Sequence, residues 1–191
     1  RPLSHWPRVE AARRIGVLLQ DEDAGFWGTV EEYVALGRFP RDGDDDAAID
    51  AALVAVELPS LRRRFLATLS GGERQRARIA QVIAQSPQCF CLDEPLTHLD
   101  ICRQTSIMQL FRKLGENRTV IAVLHEPRLA RLYCDWALLL FGDGRTRAQI
   151  DYLYEPTPDE LFNTLIPRHV EIQAFRALLK ISDERHVRRA D

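Results

Sequence analysis

Two short stretches carry residue types suited to phosphate chemistry. In Leu69-Ser70-Gly71-Gly72-Glu73 a serine and paired glycines open what reads as a helix. Paired glycines let backbone N–H groups approach a bound group closely. The helix that follows adds unpaired N–H groups and a positive dipole end, so the turn suits an anion such as phosphate. In Cys89-Phe90-Cys91-Leu92-Asp93-Glu94 four apolar residues read as a buried strand, with two carboxylates where it ends. In an open α/β sheet that end is where ligands bind. There Asp93 could hold Mg²⁺ through water, and Glu94 could orient or deprotonate a water for attack on phosphorus.

The elements that must position these groups follow from spacing. Ile15 to Leu19 reads as a buried strand ending at Gln20, with Asp21-Glu22-Asp23 as a solvated turn. Thr29 followed by Glu32 forms a capping-box pattern, and Val30, Tyr33, Val34 and Gly37 share one helical face, with Gly37 as the stop. Asp42 to Asp46 is an acidic loop, Ala47 to Val56 a helix, and Leu61 to Leu69 leads into the Ser-Gly-Gly turn. The helix after Glu73 runs to about Gln85, burying Ala77, Ala80, Ile83 and Ala84, and Arg74, Arg76 and Arg78 form a solvated face. Pro87 stops it. Ile101 to Leu114 is amphipathic around Ile107, Leu110, Phe111 and Leu114, and Thr119 to Leu124 is a second buried strand, ending at His125-Glu126. Pro127 opens a helix, as proline does at a first helical position. Ala137 to Phe141 is a further strand with Gly142-Asp143-Gly144 as its turn, and Thr157-Pro158-Asp159-Glu160 opens a helix. Arg168 to Arg189 is polar-amphipathic, with a solvated charged face.

Composition bounds the class. The 191 residues suffice for one compact domain with a subdomain, and 46% apolar with 28% charged residues is the balance of a soluble globular chain. A net charge of −2 gives no broad nucleic-acid footprint. The longest aliphatic runs are far too short to span a bilayer, so a membrane role needs a separate partner. Cys89, Cys91, Cys102 and Cys134 lack metal-site spacing and read as reduced thiols, with Cys89 and Cys91 buried in their strand.

LSGGERQR, then CFCLDEP, then Leu96-Thr97-His98-Leu99-Asp100 resembles the signature, Walker B and D-loop series of ABC-type ATPases, in order and at close spacing. The resemblance implies an α/β P-loop NTPase core of ABC type with an inserted helical subdomain. Core residues 1–20 would lead up to the Q-loop. Residues 21–85 would form the helical subdomain with the signature, and 86–150 the core with Walker B, D-loop and switch histidine. Residues 151–191 would be a C-terminal helical extension. No G-x-x-x-x-G-K-[ST] loop occurs in the sequence, and the chain starts at Arg1, so an N-terminally incomplete ATPase domain is expected.

By the same resemblance, ATP and Mg²⁺ are the cofactors. Ser70, Gly71 and Gly72 would bind the γ-phosphate of ATP held by a second subunit in a head-to-tail dimer, which Asp100 would face. Asp93 would position Mg²⁺ and Glu94 would act as base. His125 would be the switch histidine that contacts the γ-phosphate, although the family usually has Asp where Glu126 stands. Gln20 would be the Q-loop glutamine, touching metal and attacking water. The pattern Phe26-Trp27-Gly28-Thr29-Val30 through Arg38-Phe39-Pro40 is similar to one branch, the ATPases of importers for iron-siderophore, haem and cobalamin. In that branch this region lies near the groove for the permease's cytoplasmic helix. The chain is then expected in the cytoplasm, peripheral on the inner face of the cell membrane, bound to an integral-membrane permease. The interval from Gln20 to Ser70 is too short for the coiled coils of DNA-repair relatives, and no nucleic-acid partner is expected. The alternatives are a non-hydrolysing subunit without a P-loop that scaffolds a partner, and a soluble ABC-type factor acting on ribosomes or nucleic acid.

Overall fold

The structure, a computed structural model, describes residues 3–20, 25–41, 45–140, 151–152 and 174–177. The turn at Asp21-Glu22-Asp23, most of the Asp42–Asp46 loop, Phe141, the Gly142–Gly144 turn, the Thr157–Glu160 helix start and most of Arg168–Arg189 lie outside those residues.

Three parallel strands form the frame. β1 (Ile15–Leu18) follows the short helix α1 (Arg8–Arg14) and pairs with β2 (Cys89–Asp93), which pairs with β3 (Thr119–Val123). Between β1 and β2 run α2 (Val30–Ala35), α3 (Asp45–Ala55) and α4 (Gly71–Ala84). α5 (Ile101–Gly115) crosses from β2 to β3, and α6 (Pro127–Tyr133) leads to β4 (Trp136–Leu140). β5 (Asp151–Tyr152) pairs antiparallel with β4, and β6 (Ala174–Ala177) pairs antiparallel with both β3 and β4. The sheet order is β1-β2-β3-β6-β4-β5.

The described parts of 151–191 are therefore strands, which corrects the expected helical extension at those positions. Ala174-Phe175-Arg176-Ala177 has no alternation to announce a strand. It becomes one by completing the ladders of β3 and β4.

β1 is buried on one face only, not throughout as expected. Leu18 is buried, whereas Val17 is 50% exposed. β2 alternates likewise: Phe90 and Leu92 are buried, and Cys89 and Cys91 are half-buried. Phe90 meets Phe111 of α5 edge to face, with centroids 6.0 Å apart. Each ring contributes roughly 1.5–3 kcal/mol through burial. The α5 stripe is Ile107, Met108, Phe111 and Gly115, while Leu110 and Leu114 sit at its border.

The helical part packs on α4. The capping box at α2 forms as expected: Thr29 Oγ1 accepts from Glu32 N, and Glu32 Oε2 accepts from Thr29 N at 2.7 Å. Val30, Tyr33, Val34 and Gly37 are all buried. Gly37 is not a stop, because a 3₁₀ turn (Leu36–Arg38) runs through it. Its lack of a side chain serves packing: a Cβ there would lie 2.1 Å from the carbonyl oxygen of Gln81. Leu53, Val56 and Leu58 join Ile79 and Ala80 in one buried cluster continuous with the sheet's core, so the helices are not a separately cored unit.

The arginines of α4 are not a merely solvated face. Arg76 Nη1 donates to the carbonyls of Val56 and Glu57 at 2.9 Å each, closing the end of α3. Arg78 donates to the carbonyls of Leu19 and Gln20. At the far end of α4, Arg38 donates to the Ala84 carbonyl at 2.9 Å and Arg41 to the Gln85 carbonyl at 2.8 Å. These cations satisfy orphan carbonyls at the negative end of the helix dipole.

Candidate active site

The register of β2 and β3 sets the site. Asp93 pairs with Val123, so the residues after each strand leave the sheet side by side. Glu94 N–H donates to the Val123 carbonyl at 3.2 Å, closing the last rung. Glu94 then adopts φ 47°, a left-handed conformation that costs a non-glycine residue about 1–3 kcal/mol. That turn places its carboxylate at the end of β3, where Oε1 accepts a hydrogen bond from Nε2 of His125. Glu94 is the more enclosed partner, with 18% of its side chain exposed against 49% for His125. Thr97 Oγ1 donates to the Glu94 carbonyl at 3.0 Å and lies 3.5 Å from its Oε2. A cavity of about 230 Å³ opens beside the pair, with Thr97, Gln104 and Glu126 among its polar walls. A carboxylate oriented in this way can take a proton from a water in that cavity.

Asp93 is the half-buried last residue of β2. Gln20 lies two residues beyond Leu18, whose register partner is Leu92, so Gln20 and Glu94 leave the same edge of the sheet. No group of three or more His, Cys, Asp or Glu side chains among the described residues forms a metal cluster. Mg²⁺ binds through one or two carboxylates plus phosphate and water oxygens rather than in a protein cage, and the half-buried Asp93 carboxylate at the end of β2 is a donor of that kind.

Ser70 caps α4. Its Oγ accepts from Glu73 N at 3.2 Å, and Glu73 Oε2 accepts from Ser70 N at 2.8 Å. The hydrogen bonds from the Ser70 backbone and side chain hold the Glu73 carboxyl below its ordinary value. The N–H groups of Gly71 and Gly72 take no part in this box, and Ser70 and Gly71 are exposed. The turn does not line the cavity beside Glu94; it packs against His98 in the loop after β2. Asp100 is exposed, and its Oδ1 accepts from Arg103 N at 2.9 Å, making it the cap of α5. Glu94 and His125 are thus in direct contact, Asp93 and Gln20 share their edge, and the Ser70–Gly72 turn and Asp100 stand apart from the cavity.

Sequence reasoning missed Thr97 and Gln75. Gln75 is 4% exposed, and its Nε2 donates to the Pro95 carbonyl at 3.0 Å. Its signal was its spacing with Ile79 and Val82 on the apolar face of α4, where a polar residue must find a partner.

Parallel strands with an acid–imidazole pair at their carboxyl ends, beside a helix opened by Ser-Gly-Gly, define an α/β nucleoside-triphosphatase fold. Residues 1–97 match the ABC transporter family, and the chain belongs to that family. It is 40% identical over 157 residues to the hemin import ATP-binding protein HmuV of Pseudomonas entomophila (strain L48), covering 78% of this chain and 61% of that protein. It is 37% identical over 156 residues to the ferric enterobactin transport ATP-binding protein FepC of Escherichia coli (strain K12), covering 77% and 57% respectively. Its fold matches a dimeric ATP-binding cassette in a post-hydrolysis state with ADP and Pi bound. There the TM-score is 0.67 at 26% identity, over 79% of this chain and 69% of that one. The chain spans about 61% of the length of its HmuV relative.

Proposed function

We propose that this chain is part of the ATP-hydrolysing subunit of an ABC importer for a metal-chelate type solute: haem, an iron-siderophore or cobalamin. The observation that carries the reading is the Glu94–His125 pair at the adjoining ends of β2 and β3. ATP with Mg²⁺ supplies the anhydride bond whose cleavage drives the cycle. Asp93 holds Mg²⁺ through water. Glu94 accepts the proton of the attacking water, a role worth about 10²–10⁴ in rate. His125 orients the Glu94 carboxylate and senses the γ-phosphate, and Gln20 contacts metal and water from the end of β1. Ser70 Oγ and the N–H groups of Gly71 and Gly72 close on the γ-phosphate held by a second subunit, in a head-to-tail dimer whose interface includes Asp100. The exposure of Ser70, Gly71 and Asp100 in this chain supports a role in trans.

The partner is an integral-membrane permease, with this subunit on the cytoplasmic face of the membrane. Among the described residues no helix is long and apolar enough to cross a membrane. Trp27 and Phe39 are each 88% exposed, one on either side of α2, and such large exposed apolar side chains support a partner at this segment. The haem and ferric-siderophore roles of the relatives named above support the solute class. The test is reconstitution of the complete protein with its permease in vesicles. ATP-dependent uptake of a metal chelate is expected. Hydrolysis with no uptake of any metal chelate, or an RNase-sensitive association in place of a permease, would overturn the reading.

A further inference from the structure

We propose that Arg78 and Gln75 form a positioning pair that holds the backbone of Gln20 and the loop carrying Glu94 to the signature helix, so that the two are set together. The proposal rests on the hydrolytic reading above and deepens it.

One connected set of hydrogen bonds links the three segments. Gln75 and Arg78 stand one helical turn apart on α4. Gln75 is the buried polar residue of the described core, and both ends of its amide are used. Its Nε2 donates to the carbonyl of Pro95, the residue after Glu94, at 3.0 Å, and its Oε1 accepts from Arg78 Nη1 at 3.2 Å. Arg78 Nη1 also donates to the Gln20 carbonyl at 3.3 Å, and Nη2 donates to the Leu19 carbonyl. Leu19 and Gln20 lie beyond the last rung between β1 and β2, Leu18 with Leu92. Arg78 therefore takes hold of the backbone of β1 where the sheet lets go of it.

The chemistry suits positioning. A guanidinium is a rigid planar fork whose two terminal nitrogens can reach successive carbonyls, and it stays charged at any working pH. Hydrogen bonds to a charged donor are stronger than neutral ones. A buried amide holds its geometry because leaving either end unpaired is costly. The path runs from the Gln20 carbonyl through Arg78 and Gln75 to the carbonyl of Pro95, one residue beyond Glu94, through a helix that Ser70 caps. A shift of α4 would then move the ends of β1 and β2 together. Neither side chain touches the reacting atoms, so both are positioning residues.

The test uses the complete protein and two readouts on Arg78→Ala and Arg78→Lys. In steady-state hydrolysis Arg78→Ala should lower kcat about 3- to 30-fold with the KM for ATP within about twofold, the range seen for residues that couple sites indirectly. Lysine keeps the charge but loses the fork, so it should recover only part of the loss. Amide hydrogen exchange should rise in the Arg78→Ala variant at 18–20 and 94–97, with 79–84 and 119–123 unchanged. A wild-type kcat in Arg78→Ala would overturn the proposal, and so would exchange that rises evenly across α4, β2 and β3. The comparison variant is Glu94→Gln. If it hydrolyses ATP at the wild-type rate, the role of Glu94 fails, and the exchange pattern alone still decides whether Arg78 ties the two segments.

Discussion

Gly72 lies so close to His98 that a Cβ built on it would sit 2.9 Å from the His98 carbonyl oxygen. His98 itself is left-handed, with φ 65°. The signature turn and the loop after β2 thus share a backbone contact within one chain, and glycine at 72 is required by that contact whatever it binds. Gly72→Ala should displace the loop or the start of α4 and cost about 1–3 kcal/mol, the usual scale of overpacking. A fall in the urea midpoint at unchanged slope is the expected reading.

A second close approach fixes the helical layer. A Cβ on Gly37 would fall 2.1 Å from the Gln81 carbonyl oxygen, in the last turn of α4. Backbone cannot yield as a side-chain tip can. Gly37→Ala should cost about 3 kcal/mol or more. Gly25→Ala is the control: its Cβ would meet nothing nearer than Trp27 Nε1 at 3.8 Å, so an effect within about 0.5 kcal/mol is expected. Equal midpoints for the two variants would contradict this packing.

These two glycines mark where the sequence stops being legible. Local patterns were readable because neighbours in sequence complete them. The Thr29–Glu32 capping box was read from two residues three apart, whereas the equally local Ser70–Glu73 box was passed over for the Ser-Gly-Gly turn that overlaps it. β2, β3 and the proline at the start of α6 follow from apolar runs and punctuation. Gly37 read as a stop because its partner, Gln81, is distant in sequence. Arg76 and Arg78 read as solvated because the carbonyls they satisfy lie just past the ends of α3 and β1, far away in sequence. The left-handed turn at Glu94, which brings it to His125, has no sequence signal of its own. β6 exists only through ladders formed with strands some fifty and thirty-five residues earlier, so nothing in Ala174–Ala177 announced it.

The Ser70 box carries a pH dependence. Hydrogen bonds from Ser70 hold the Glu73 carboxyl below its ordinary value of 4.5. A lowered folded-state pKa stabilises the folded form above the ordinary value, and the gain is lost as pH falls through the lowered one. The first turn of α4 should therefore fray as pH drops below about 4.5, seen as faster exchange at 70–73 than at 79–84. Glu73→Gln should flatten that local dependence. An unchanged pH profile in the variant would show that another group controls it.

The thiols should react in a fixed order. Cys102 is exposed on the first turn of α5. Burial, with Cys91 alongside, pushes the Cys89 thiol up to about 11, and burial pushes Cys134 up to about 12. Since the thiolate is the nucleophile, iodoacetamide at pH 8 should label Cys102 first and Cys134 last. Peptide mapping against time checks this, and early labelling of Cys134 would contradict the burial of α6 against the core.

The central claim is that Glu94, held by His125 at the end of β2, is the base of an ATP-hydrolysing site. The direct measurement is steady-state ATP turnover and ATP affinity of Glu94→Gln in the complete protein. The account predicts turnover down by about 10²-fold or more with ATP binding retained, since the amide cannot take the proton of the attacking water. Turnover at the wild-type rate would contradict it.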